Sequence, residues 1–303
     1  MKQRISIICT IVMMVLLVFG CGPKQIGTTG ATHHVTDGTG TVVTVPTEPK
    51  RIVPIAASTE DIVLSLVDPN RVAAVGTVPN NVPDASAKVE KHVKASAESM
   101  LSVQPDLVLV PNWMSPDAIG EMRNMQIPIY VYKTPTTVVE AKSVIHEISD
   151  LLHASDEAMI TSMDEDLKIV EDLASKHSGT RPVVAFYSQF GLTGGKGSTF
   201  DDMCHYLKVT NAAAQIGLGP FDNGTREDLI KSNPDIIFIP SVAYTSDGTT
   251  PATAEQLYFD PALQGVKAIA NRRVFLVDSS QVMSYSQFMT RAMVSMAQYI
   301  YSM

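Results

Sequence analysis

Short apolar segments alternate with amphipathic segments along most of this chain of 303 residues. Short runs that are apolar at nearly every position are typical of strands buried on both faces of a sheet. They occur at residues 51–55, 72–75, 107–110, 127–132, 183–187, 236–239 and 274–277. Between them, apolar residues recur at the spacing of one helix face at 61–66, 97–102, 116–124, 138–152, 199–207, 226–232 and 286–301. This alternation predicts parallel sheets with helices on both faces.

The segment before the first buried run has a hairpin pattern instead. Asp37-Gly38 and Gly40 favour the positive φ angles of a tight turn, and β-branched residues follow them. Residues 35–46 are therefore predicted to form a β-hairpin. Ser58 is predicted to cap the helix after the first buried strand, because a serine side chain can accept a hydrogen bond from a free N–H at a helix start.

One combination of elements occurs twice in the chain. Residues 97–111 and 226–240 each contain a short helical segment, a Pro-Asp turn and a strand-like apolar run. Glu98 and Glu227 occupy the same place in the two copies, each seven residues before the proline. A repeat at a fixed offset predicts two similarly built lobes, one in each half of the molecule.

A longer helix pattern separates the two halves. Residues 156–177 place their apolar side chains on one helical stripe, and Ser155 can cap its start. Asp164 and Lys168 have the spacing of a favourable i,i+4 ion pair. We interpret this segment as a stiff connector; an ordinary surface helix of one lobe is the alternative. The predicted fold is α/β, with two Rossmann-like αβ lobes joined by a single long helix and a ligand cleft between the lobes. Its predicted boundaries are 35–154 for the first lobe, 155–178 for the connecting helix and 179–303 for the second lobe.

The first residues form a targeting pattern and are excluded from the fold. Two basic residues precede an apolar run at 5–19, which is shorter than the roughly 20 residues of a membrane span. The run ends at Gly20-Cys21 and looks like the lipobox of bacterial lipoproteins. This resemblance implies a signal peptide at residues 1–20, lipid attachment to Cys21 after cleavage, and a flexible tether at 21–34. An uncleaved anchor and a plain secretory signal are the alternatives.

Composition narrows the classes of function. The formal net charge is −8 and the sequence pI about 5.3, so the chain lacks the basic character that neutralises nucleic-acid phosphates. Once Cys9 leaves with the signal and Cys21 takes the lipid, Cys204 has no partner for an internal disulfide. The histidines lack the spacing of a metal cage, so we expect no metal site and no cofactor. The motifs of serine hydrolases, zinc proteases and dinucleotide enzymes are absent, which predicts a protein that is not an enzyme.

Candidate ligand-binding residues follow from the expected edge of the sheets. In open αβ sheets, ligands bind beyond the carboxyl ends of the strands. Trp113, the only tryptophan, follows the run at 107–110, and its flat face suits a macrocycle or a catechol. Lys196 lies in a glycine-rich segment that lacks the phosphate-loop pattern, and is a candidate partner for an anionic ligand. The candidate set, with core or rim packing as the alternative role, is Trp113, Met114, Tyr187, Phe190, Lys196, Tyr244 and Tyr285.

Several of these features together resemble one protein family. Their order and spacing are similar to those of the solute-binding proteins of bacterial ABC importers for iron-siderophores, haem and vitamin B12. The features are the opening segment 37–53, Ser58-Thr59-Glu60, both Glu…Pro-Asp units, the helix at 156–177 and Asn211-Ala212-Ala213. The resemblance covers residues 35–303 and implies two lobes that close only slightly on their ligand.

The resemblance also implies partners and ligands. In this family one exposed glutamate on each lobe docks into arginine pockets of the permease, and the matching residues are Glu98 and Glu227. The expected protein is a monomer, lipid-anchored on the extracytoplasmic side of a membrane, working with an ABC permease and its ATPase subunit. Its expected ligand is a preformed metal chelate, first an iron-siderophore-type complex, with corrinoid and haem as alternatives. The loops at 78–81 and 92–94 lack the aromatic residues of the vitamin B12 binders, which disfavours a corrinoid. An exported enzyme and a ligand-sensing lipoprotein are the alternatives of a different class.

Overall fold

The N-terminal half consists of a hairpin followed by a small parallel sheet with helices. The computed structural model describes residues 30–78, 80–241 and 253–301. The elements of this half are β1 (Thr32–Thr36), β2 (Val42–Pro46), β3 (Ile52–Pro54), α1 (Ala57–Leu66), α2 (Pro83–Ser86), α3 (Ala97–Val103), β4 (Leu107–Pro111), α4 (Pro116–Asn124), β5 (Ile129–Tyr132) and α5 (Val138–Leu152). β1 and β2 pair antiparallel, as the turn residues predict, but β1 begins at Thr32, inside the segment 21–34 that was predicted as a flexible tether, because Thr32 pairs with Pro46. β3, β4 and β5 form a parallel sheet in that order.

The C-terminal half contains a second, mostly parallel sheet. Its elements are α6 (Glu157–Ser175), β6 (Val183–Ser188), β7 (Gly191–Thr193), α7 (Thr199–Tyr206), β8 (Thr210–Asn211), α8 (Ala212–Gln215), α9 (Arg226–Ser232), β9 (Ile236–Pro240), α10 (Ala254–Phe259), α11 (Lys267–Ala270), β10 (Val274–Val277), α12 (Ser279–Val282) and α13 (Phe288–Tyr301). The sheet order is β10-β9-β6-β7, and β8 also pairs with β6. β7 is antiparallel to β6, and the other pairs are parallel. The predicted fold class, two αβ lobes with parallel sheets, is confirmed.

The apolar core has one part shared by the two lobes and one further part in each lobe. Alternate side chains of a strand point to opposite faces, so Leu107 and Leu109 of β4 join the shared core while Val108 and Val110 join the N-terminal core. The shared core also contains Met293 of α13, from the second lobe. Separating the lobes would expose this shared core to water, which costs roughly 25 cal/mol of free energy for each Å² of apolar surface. The shared core therefore resists large changes in the angle between the lobes.

α6 connects the lobes in sequence and packs mainly on α13. Its buried positions, which include Met163 and Val170, follow the predicted stripe. The predicted cap is wrong, because the N-cap residue is Asp156, which makes no side-chain cap, and Ser155 lies one residue before it. Ser155 Oγ accepts only a long hydrogen bond from the backbone N of Glu157, at 3.4 Å. The predicted ion pair within the helix is wrong, because Asp164 pairs with Lys142 of α5 instead of Lys168. The helix is therefore held from outside, by α5 and α13.

The duplicated segments have the same backbone connections in both lobes. α3 and α9 each end at a residue with left-handed backbone, Gln104 (φ 47°) and Asn233 (φ 43°). The Asp106 carboxylate then accepts a hydrogen bond from the backbone N of Arg51, at 2.9 Å. The Asp235 carboxylate accepts the equivalent bond from the backbone N of Val183, at 2.8 Å. Each Pro-Asp turn thus connects the start of one strand to the start of its neighbour, β4 to β3 in the first lobe and β9 to β6 in the second. The two repeated sequences therefore have the same local structure.

Two local predictions in the first lobe are wrong. The run at 72–75 forms only isolated bridges, from Val72 to Ile52 and from Val75 to His92, instead of a strand. α1 begins at Ala57, earlier than predicted, and its preceding residue makes no side-chain cap. Ser58 therefore lies inside the first turn, where its Oγ accepts a hydrogen bond from the backbone N of Tyr285 at 3.2 Å. This serine joins the two lobes and does not cap the helix.

Candidate functional site

A cavity of about 480 Å³ lies between the lobes, at the carboxyl ends of strands β4 and β5 of the first sheet. The first lobe contributes the residues that follow β4 and β5. The second lobe contributes the start of α7, the loop between α8 and α9, and the segment between α12 and α13. The lining residues are Asn112, Trp113, Lys133, Thr134, Pro135, Thr136, Gly197, Ser198, Thr199, Pro220, Phe221, Met283 and Tyr285. This is the cleft that the predicted fold requires.

Trp113 forms the wall of the first lobe. Its side chain is 61% exposed, although large aromatic residues are normally well buried. Asn112 holds the two loops of this wall together: its backbone N donates to Tyr132 O at 2.9 Å, and its Oδ1 accepts from the backbone N of Thr134 at 2.9 Å. The indole is therefore presented to the cavity from a braced loop.

Phe221 stands on the opposite wall, and its side chain is 93% exposed. Its loop is seated on the glycine-rich turn before α7, where the backbone N of Lys196 donates to Leu218 O at 2.8 Å. Gly195 permits this contact, because a Cβ at that position would lie only 2.3 Å from Leu218 O. Phe221 was not among the predicted residues; the signal for it was an aromatic residue inside a loop of Gly, Pro and Asp, where no core packing is available.

Tyr285 lines the inner end of the cavity and connects to buried hydroxyls of the first lobe. Its OH lies 3.2 Å from Tyr132 OH, which in turn lies 2.6 Å from Thr59 Oγ1. Burial raises the pKa of Tyr285 and raises that of Tyr132 much further, so both phenols stay neutral. Hydrogen bonds of Tyr285 with Tyr132 and Trp113 act in the opposite direction on its pKa.

The structure places the predicted ligand residues in different surroundings. Trp113 and Tyr285 line the cavity, whereas the side chain of Met114 is buried in the N-terminal core. Tyr187 packs partly against the C-terminal core, near the charges of Arg226, Asp260 and Glu227. Phe190 and Lys196 are exposed and do not line the cavity, although Lys196 directly precedes the lining residue Gly197. Tyr244 lies outside the described residues. Within those described residues, no group of three or more His, Cys, Asp or Glu side chains could hold a metal ion.

Polar contacts between the lobes lie beside the cavity, at the start of α1. The Asp61 carboxylate accepts from the backbone N and the Nδ2 of Asn81, at 2.7 and 2.8 Å, and from Ser286 Oγ of the second lobe, at 3.0 Å. Asn81 Nδ2 also donates to Ser280 O at 2.9 Å, and Ser280 Oγ donates to Asn81 Oδ1 at 2.6 Å. Burial raises the pKa of Asp61 to about 6. The sequence indicates this segment as a helix start and as part of the family resemblance, but carries no signal for its contacts with the other lobe.

The two glutamates of the repeat occupy equivalent exposed positions. Glu98 is the second residue of α3, and Glu227 is the second residue of α9. Each helix is capped, by Ser96 and Thr225 respectively. Hydrogen bonds to the Glu227 carboxylate lower its pKa and keep it charged. The largest effect comes from the backbone N–H of Glu227 itself, and the next from the Thr225 side chain. The two glutamates differ in the residue that precedes them. Arg226 precedes Glu227 and forms ion pairs with it and with an aspartate of the same lobe, whereas Ala97 precedes Glu98.

Two αβ lobes, one connecting helix and an aromatic-lined cavity between them define a two-lobed solute-binding protein. The chain belongs to the periplasmic binding protein family, whose model matches residues 52–281. Its relatives are extracytoplasmic solute-binding proteins of ABC importers, which work with a permease and an ATPase and are not enzymes. Among the described residues, no helix has both the length and the apolar character needed to cross a membrane.

Three individual proteins illustrate the relationship. The chain is 26% identical to the uncharacterized ABC transporter substrate-binding lipoprotein YvrC of Bacillus subtilis, over 99% of this chain and 98% of YvrC. It is 21% identical to a cobalamin-binding protein of Halobacterium salinarum, over 86% of this chain and 72% of that protein. The solved structure of the periplasmic heme-binding protein RhuT from Roseiflexus sp. RS-1, in apo form, matches with a TM-score of 0.70 at 20% identity, over 84% of this chain and 98% of RhuT. This last likeness concerns the fold.

Proposed function

We propose that this protein captures a preformed metal chelate between its lobes and delivers it to the permease of an ABC importer. The observation that carries the proposal is the pair of exposed aromatic side chains, Trp113 and Phe221, which reach the same cavity from opposite lobes. A flat or macrocyclic chelate between them would bury apolar surface on both faces. Iron-siderophore-type complexes, corrinoids and haem all have such surfaces, and an iron-siderophore is the class predicted first.

Replacing Phe221 by alanine should weaken binding of the chelate about tenfold to thirtyfold, as the loss of roughly 1.5–2 kcal/mol of aromatic burial implies. Trp113 is the only tryptophan in the chain and lines the cavity, so quenching of its fluorescence measures occupancy directly. Phe259→Ala is the matched control, because Phe259 is another exposed phenylalanine of the second lobe that does not line the cavity. Equal affinities for the Phe221→Ala and Phe259→Ala proteins would contradict the proposed site.

We also propose that Cys21 carries a lipid that anchors the protein to the extracytoplasmic face of a membrane. The lipobox-like end of the apolar run supports this, and so does the relative YvrC, which is described as a lipoprotein. Residues 1–29 lie outside the described part of the chain. Cys21→Ser should move the protein from the membrane fraction to the soluble or secreted fraction, while Cys204→Ser should leave fractionation unchanged. Membrane retention of the Cys21→Ser protein would refute lipid anchoring at this residue.

A further inference from the structure

Carboxylates support the cavity loops from behind, in both lobes. Glu140 accepts a hydrogen bond from the backbone N of Thr136 at 2.8 Å. Asp202, on α7 of the other lobe, accepts from the backbone N of Val138 at 2.8 Å. Two partly exposed carboxylates therefore hold the segment that contains the lining residue Thr136 and leads into α5.

The second lobe adds two more carboxylates. Asp201 accepts from the backbone N of Gly197, a lining residue, at 2.9 Å. Asp222, the neighbour of Phe221, accepts from the backbone N of Gly219 at 2.7 Å. Asp201 is therefore one hydrogen bond from the lining residue Gly197, and Asp222 is the chain neighbour of the lining residue Phe221.

Positive charge is scarce at the same place. Among the described lining residues, Lys133 is the single cation, and its Nζ lies 3.5 Å from Glu140 Oε1, which offsets its charge. Lys196 is exposed beside the lining residue Gly197. No arginine lines the described part of the cavity, although arginine is the residue best suited to bind carboxylates and other planar anions in a bidentate way.

From this balance we infer that the chelate carries no net negative charge. The inference rests on the proposed function and specifies its ligand class. The described lining offers an anion a single lysine whose charge is offset by Glu140, and the other carboxylates that hold the neighbouring loops add negative charge behind the wall. Charges interact more strongly in a partly enclosed cavity than in bulk water, so a multiply anionic complex is disfavoured. Ferric tris-catecholates, with three negative charges, and haem, with two propionates, do not fit these electrostatics. Neutral ferric hydroxamates and neutral corrinoids do.

Fluorescence titration of Trp113 in the full acylated protein, solubilised in detergent, tests the inference with four probes. These are a neutral ferric trihydroxamate, cyanocobalamin, haemin and a ferric tris-catecholate. We expect at least one neutral probe to bind about tenfold or more tightly than either anionic probe at low ionic strength, with an affinity that salt changes little. A tighter anionic probe whose affinity falls with salt would overturn the charge inference and leave chelate capture intact. Failure of all four probes to bind would overturn both proposals.

A charge-removing variant gives a second measurement. Glu140→Gln combined with Asp202→Asn preserves both backbone hydrogen bonds, because each amide oxygen can still accept. The affinity for the ferric tris-catecholate should rise at least about threefold, since two repulsive charges are lost, and the affinity for the neutral probe should stay within about twofold. Asp172→Asn, at an exposed position on α6, is the control and should change neither affinity. Unchanged affinity of the double variant for the anionic probe would show that these carboxylates do not select the ligand.

Discussion

Replacing both Glu98 and Glu227 by alanine should abolish import while leaving ligand affinity unchanged. Two carboxylates on equivalent helices can meet a permease whose two halves present the same chemistry. Charge-assisted hydrogen bonds contribute roughly 1.5–3 kcal/mol each, so losing both should weaken docking by about 100-fold or more. The measurements are uptake of the bound ligand, stimulation of the reconstituted importer's ATPase, and Trp113 fluorescence titration.

The fold offers a closely matched control for this experiment. Asp117 and Glu255 are also exposed acidic residues at the second position of capped helices, α4 in the first lobe and α10 in the second. Asp117→Ala with Glu255→Ala removes the same charge from each lobe but from helices outside the duplicated units, so import should persist. Normal import by the Glu98→Ala, Glu227→Ala protein would rule out docking through these residues. A large loss of ligand affinity would instead place them in the binding cavity.

The sequence predicted the lobes well because their determining features are local. Strands such as β4 and β9 are buried at every position, so their sequences are uninterrupted apolar runs. Such a run can be recognised in the sequence without knowing which strands pair with it. The Pro-Asp turns are equally local, since a left-handed residue, a proline and an aspartate follow each other in the chain. The run at 72–75 looks the same in sequence, yet it forms only bridges. Whether a run becomes a full strand depends on neighbours that sequence alone does not show.

The cavity was predicted less completely because its walls come from distant loops. Trp113 was found because it follows a strand whose carboxyl end must face the cleft. Met114, one residue later, points into the core: its backbone N donates to Pro111 O at 3.1 Å, and the resulting turn reverses the side-chain direction. Phe221 lies between two helices, far from any strand end, and reaches the cavity only because its loop is seated on Gly195 and Lys196. Such a contact between loops leaves no periodic signal in the sequence.

Asp61 should make the protein less stable as the pH rises from about 4 to about 6. Its pKa is raised from 3.8 to about 6 in the folded protein, because burial disfavours the charged carboxylate. Between these values the folded state holds a proton that the unfolded state releases, so the free energy of unfolding decreases as pH increases. The full difference corresponds to about 3 kcal/mol, at roughly 1.4 kcal/mol per pKa unit, and it is complete once the pH exceeds the folded pKa.

Asp61→Asn removes this titration while keeping the contact with Ser286 of the other lobe. The amide oxygen can accept from the backbone N of Asn81, and the amide nitrogen can donate to Ser286 Oγ, which already contacts Ser284 Oγ at 2.7 Å. The bond from Asn81 Nδ2 is lost, because two amide NH₂ groups would face each other, and this loss lowers the stability of the variant by the same amount at every pH. Urea unfolding at pH 4, 5, 6 and 7 should show the stability of the wild-type protein falling by up to about 3 kcal/mol more than that of the variant. Glu60 also has a pKa raised by burial, and its charge contributes to raising that of Asp61, so the difference between the two curves reports Asp61 together with its coupling to Glu60. Asp84→Asn, at an exposed position, should follow the wild-type curve; an Asp61→Asn curve parallel to the wild type would mean that this carboxyl does not titrate in this range.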